Sequence, residues 1–151
     1  MDNKAYLETI LPHKRPMVLI DDVIDYSVSE GWLRSCVKIS PKSIFYDKKL
    51  GGISSVVGIE YMAQTIACYA FLAGNKTEPQ IGFLLGARLY NNKYTLFKEN
   101  ENLEIIAKKI FSSEDIVSFE CFIYNETREE IASATINVYQ NDNIEERLTN
   151  G

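Results

Sequence analysis

Glu60 and Gln64 stand four positions apart in SSVVGIEYMAQTIACYAFLAG, residues 54–74, a run otherwise almost wholly apolar. At helical spacing the two share one face. A carboxyl group held in apolar surroundings is biased toward its neutral form, which raises its pKa toward working pH and suits it to general acid–base chemistry. Gln64, one turn further on, suits an orienting hydrogen bond. His13 is the single histidine of the chain, and imidazole is the one side chain whose ordinary pKa lies near neutrality. Plainer readings stand beside these. Glu60 could be satisfied by backbone donors or by Arg15, Arg34 or Arg88, Gln64 could tie the helix to a facing strand, and His13 could stabilise a turn after Pro12.

Other chemistries find less support. GGISSVVG, residues 51–58, lacks the lysine and the glycine spacing of a phosphate-binding loop. One histidine and no CxxC pair argue against a zinc site. Cys36, Cys68 and Cys121 are far apart, odd in number and set in apolar segments, which predicts buried thiols in a reducing compartment. A net charge of -5 with scattered basic residues argues against a nucleic-acid surface. The first 16 residues lack a signal-peptide pattern, and the apolar run is interrupted by Glu60 and Gln64, which argues against a membrane span. The expectation is a cytoplasmic protein.

The elements that must position these residues can be read in order. With 151 residues and no break in composition, the chain reads as a single domain. Residues 1–10 carry a short helical segment that Pro12 closes. PMVLIDDVIDY, residues 16–26, reads as a strand. WLRSCVKI, residues 32–39, alternates and pairs with it as a hairpin. PKSIFYDKKLGG, residues 41–52, reads as a loop, after which Ser54 or Ser55 caps a long helix that stops at Gly74. Strand-like runs follow at 80–90, 102–111, 116–124 and 130–140, with Val117, Phe119, Cys121 and Ile123 on one face. The connectors 91–100 and 125–129 read as polar turns, and the tail 141–151 as frayed. A helix apolar nearly all round needs cover on most sides, and an antiparallel sheet of about six strands wrapped around it supplies that cover. The fold class is α+β.

This order resembles the hotdog fold, and three segments resemble its 3-hydroxyacyl-acyl carrier protein dehydratases. They are LPHKRPMVLIDDV at 11–23, GIEYMAQ at 58–64 and IGFLLGARLY at 81–90, with INVYQ completing the pattern. The combination is most similar to the dehydratase-like proteins encoded with aryl polyene biosynthesis, over about Leu11 to Gln140. The resemblance implies dehydration of a 3-hydroxyacyl thioester to a trans-2-enoyl product, with the substrate on the phosphopantetheine arm of an acyl carrier protein. It also implies a dimer with an identical chain or another hotdog subunit. Such an elimination moves only protons, so no metal or dissociable redox cofactor is expected.

The family's catalytic histidine lies in an H-F-P-G-type loop before the helix, and SIFYDKKLGGISSVVG, residues 43–58, contains no histidine. Either His13 takes over that role beside Glu60, or the chain is a non-catalytic partner subunit. In the first case Gln64 orients the carboxyl, and the helix start at Val57 and Gly58 faces the thioester carbonyl. A thioesterase of the same fold, with Glu60 activating water, is a further alternative. Lys14, Arg15, Lys48 and Lys49 are either ordinary surface charges or contacts for the acidic carrier protein. Tyr61, Met62, Tyr69 and Phe71 read as core, interface or acyl-tunnel side chains.

Overall fold

Residues 3–74 and 84–139 are described by the structure, a computed structural model. Helix α1 (Lys4–Ile10) buries Leu7 and Ile10 and gives way to extended chain at Leu11. Strands β1 (Asp22–Ser27) and β2 (Trp32–Lys38) form the expected hairpin, with Ser27 opposite Trp32 and a bulge between Val23 and Asp25. Gly31 takes a left-handed φ of 78° in the turn, a conformation that a side chain disfavours.

Residues 16–21 do not extend β1, although their composition predicts strand. Their backbone is fastened from the side instead: Lys4 Nζ donates to the carbonyls of Val18 and Ile20, and Gln64 holds Leu19. A backbone whose polar groups are met by side chains has less need of a ladder partner.

The long helix is assembled in two pieces. A 3-10 turn (Ser55–Val57), with the Ser54 hydroxyl accepting from the Val56 amide, leads into helix α2 (Gly58–Ala73), and Gly74 follows as the cap. The span Ser55–Ala73 is long and apolar enough by length and composition to cross a membrane, yet 56% of it is buried within the same chain. Burial against the sheet accounts for its composition. Tyr61 stacks on Phe97, and Tyr69 meets Phe119 edge-on, each pair adding to the area it removes from water.

The sheet around α2 is completed by β5 (Leu84–Asn92), β7 (Asn102–Ser112), β8 (Ile116–Tyr124) and β9 (Glu130–Tyr139), in the order β1-β2-β7-β8-β9-β5. Neighbouring strands run antiparallel. Phe119, Cys121 and Ile123 are buried on one face of β8, and Val117 packs against the same core. The start of the strand expected from Gln80 and the tail 141–151 lie outside the described residues.

A second sheet was not legible as such. Strands β3 (Tyr46–Asp47), β4 (Gly52–Ser54) and β6 (Leu96–Lys98) join in the order β3-β4-β6, where loop and polar connector were expected. Two- and three-residue strands are too short to show a period. Their approach is set by contact instead, because a Cβ on Gly52 would run into the Phe97 carbonyl.

Candidate functional site

The lead-in segment that carries His13 is clamped from two sides. Glu8, on α1, accepts from the Arg15 amide at 2.7 Å and from its guanidinium at 2.9 Å, and Lys14 Nζ donates to the Glu8 carbonyl. The Arg15 amide and guanidinium hold the Glu8 carboxyl below its ordinary range. From α2, Gln64 Oε1 accepts from the Leu19 amide at 2.9 Å and Nε2 donates to the Met17 carbonyl at 2.8 Å. A third, longer contact of 3.5 Å runs from the Ile20 amide to the same oxygen.

Gln64 is therefore 1% exposed and engaged with the backbone of residues 17–20. The orienting bond to Glu60 is not made; the structural tie is what the amide forms. The reason is geometric, since the lead-in segment crosses α2 at the turn that Gln64 occupies.

Glu60 departs from the expectation of burial. It is exposed in the first turn of α2, with no hydrogen bond or ion pair among the described residues. Two of the cations considered for it are engaged elsewhere: Arg15 with Glu8 and Arg34 with Glu104. Val56, one turn earlier on the same face, is 64% exposed, so no element among the described residues covers that corner. Position near the positive end of the helix still favours a carboxylate there.

His13 is half-buried, and its Nδ1 is enclosed without a hydrogen-bond partner. No hydrogen bond joins it to Glu60 among the described residues.

The helix start also differs in detail from the expectation. The Ser55 amide donates to the Thr95 carbonyl at 3.0 Å, the Val56 amide to Ser54 Oγ, and the Gly58 amide back to Ser55. Those three donors are not directed at an incoming carbonyl. Val57 is half-buried and packs against the core. A Cβ on Gly58 would collide with the Tyr90 hydroxyl and lie 3.0 Å from Ile123 Cδ1. The close approach that Gly58 permits is thus made by Tyr90, whose hydroxyl donates to the Ser55 carbonyl at 2.5 Å. Tyr90 was not singled out from the sequence, and only its pairing with a helical glycine could have flagged it.

The loop expected to hold the family's histidine folds into the small sheet. Asp47 Oδ1 accepts from the amides of Lys49 and Leu50, and the Tyr46 hydroxyl donates to Glu99. Ile44, Phe45 and Leu50 are exposed along it. Val56 and Leu89, the residue before Tyr90, are exposed as well, Leu89 to 80%.

Comparison with known proteins places this geometry. The ApeP-like family model, described as ApeP dehydratase, matches residues 5–149. The dehydratase heterocomplex ApeI:P from Xenorhabdus doucetiae aligns with a TM-score of 0.81 at 26% identity, over 96% of this chain and 97% of that one. Two more distant structures share the fold. The E. coli PaaI protein from the phenylacetic acid degradation operon aligns at 0.59 and 9% identity, covering 79% of this chain and 82% of its own. Thioesterase superfamily member 2 from Mus musculus aligns at 0.57 and 15%, covering 78% and 80%. No curated protein matches in sequence. The α+β architecture is the hotdog fold.

Proposed function

Because this chain belongs to the ApeP-like family of dehydratases, we propose that it serves the dehydration of a 3-hydroxyacyl-acyl carrier protein thioester to its trans-2-enoyl product, in fatty-acid-like or aryl polyene biosynthesis. The observation that carries this reading is Glu60, an exposed carboxylate in the first turn of α2 with no partner among the described residues and with the exposed Val56 one turn before it. A second hotdog subunit seated there would bury the carboxyl and the exposed Val56 together.

In the reaction a base takes the proton from C2 of the acyl chain, and that electron pair forms the C2–C3 double bond. The C3 hydroxyl accepts a proton from the acid and departs as water. Glu60 would act as one of these two groups and His13 as the other, with Gln64 holding the segment that carries His13. The positive end of α2 favours the charge that develops on the thioester oxygen. Only protons move, so the chemistry calls for no metal or redox cofactor. The substrate would arrive on the carrier protein's phosphopantetheine.

A second reading is favoured by a specific observation: the loop before α2 has no histidine, and His13 shares no hydrogen bond with Glu60. In that case this chain is the non-catalytic half of a heterodimer. The test is to incubate a 3-hydroxyacyl carrier-protein substrate with this chain, alone and with a hotdog partner subunit, and to weigh the products. Loss of water, falling about 100-fold or more with Glu60→Gln, supports catalysis by this chain. Full activity of the mixture with both Glu60→Gln and His13→Ala would assign it the non-catalytic role, and release of free acid would mean a thioesterase.

A further inference from the structure

Along the lead-in segment lies a cleft of about 550 Å³ that none of Glu60, His13 and Gln64 lines. Its volume falls within the range of small-molecule sites. The floor is apolar and buried: Val18, Leu19, Val37 and Ile53. Tyr61 also lines it, is 1% exposed, and has a hydroxyl with no hydrogen-bond partner among the described residues.

The charge around the cleft is one-sided. Asp21, its carboxylate, is engaged twice, with Lys4 at 3.1 Å and with the Lys38 amide at 2.7 Å. Arg15 is held by Glu8. The side chains of Lys38 and Lys42 line the cleft, are exposed, and form no ion pair among the described residues. Two uncommitted cations therefore stand over a buried apolar floor.

We propose that this cleft binds an amphipathic anion, an apolar chain ending in a carboxylate or phosphate. The head group meets Lys38 and Lys42, and the chain lies over Val18, Leu19 and Val37 toward Tyr61. A point charge of this kind pairs with either anion, so the two head groups share one chemistry. None of Glu60, His13 and Gln64 lines the cleft, and the inference does not depend on the dehydratase reading.

Calorimetric titration of the full chain with decanoate, decyl phosphate and decanol tests this. The expected result is saturable one-site binding of at least one of the two anions. Affinity for it should fall 10-fold or more in the double variant Lys38→Ala/Lys42→Ala, with decanol weaker than the anion and indifferent to the lysines. Whichever anion binds more tightly identifies the head group. Both lysines are exposed, so the double variant should fold, as circular dichroism would check. Absence of saturable binding by both anions, equal binding of decanol, or an unchanged affinity in the lysine variant would overturn the proposal.

Discussion

Gln64 and Glu60 sit one turn apart, and the chain treats them oppositely. Gln64 is enclosed, and both ends of its amide are bound to the backbone of the lead-in segment. Replacing it by leucine should cost about 2–4 kcal/mol, since the buried Leu19 amide and the part-buried Met17 carbonyl would lose their partners. A urea midpoint within error of wild type would refute the clamp. Glu60→Gln, at an exposed and unpartnered position, should leave the stability of the isolated chain within about 0.5 kcal/mol. The same urea titration checks both, and a large loss for Glu60→Gln would mean that the carboxylate is structural.

At the scale of elements, the start of α2 is shaped by one tight approach. Glycine is a poor helix former, and at position 58 it gives room to the Tyr90 hydroxyl. Gly58→Ala should therefore destabilise by about 1–3 kcal/mol through overpacking. Tyr90→Phe removes the clashing oxygen, so the double variant should recover part of that loss, and a double-mutant cycle in urea measures the coupling. Strictly additive effects would place the strain elsewhere. The clamp on the lead-in segment has a pH signature of its own. The Glu8 carboxyl lies below its ordinary 4.5, chiefly through the Arg15 amide and then its guanidinium. A depressed carboxylate stabilises above the unfolded pKa, and its contribution fades as pH falls through the folded value. The Arg15 amide resonance should titrate with a midpoint below 4.5, and Glu8→Gln should abolish that step. A midpoint at or above that value would contradict the contact.

At the scale of the molecule the six-stranded sheet packs over α2, and two thiols report on that packing. Cys68, on α2, and Cys121, on β8, face the shared core, and burial pushes both thiols up from 9.0 to about 12. In the unfolded chain they ionise near 9.0, whereas the folded chain keeps them protonated. Their contribution is accordingly complete below that pH and is lost as pH rises toward the folded value. Stability should decline on the alkaline side, as denaturation at pH 8 and pH 10 would reveal. A maleimide probe should leave Cys68 and Cys121 untouched in the native chain and label them in urea, because the thiolate is the reactive form. Rapid native labelling at either position, read by peptide mass, would show that the helix–sheet core opens readily.

The amino-acid sequence by itself determined the elements whose signals are local. The long helix, with a serine cap at Ser54 or Ser55 and its stop at Gly74, follows from composition and capping chemistry. The alternation in β2, β7, β8 and β9 follows from a side-chain period of two. The α+β class follows from those elements and from the need to cover an apolar helix. Tertiary structure alone decided what depends on which surface meets which. It exposed Glu60 while enclosing Gln64, withheld residues 16–21 from the sheet, built β3, β4 and β6 from runs too short to show a pattern, and set Tyr90 against Gly58. Periodicity records that a face is apolar; whether that face is covered is settled by chain segments tens of residues away.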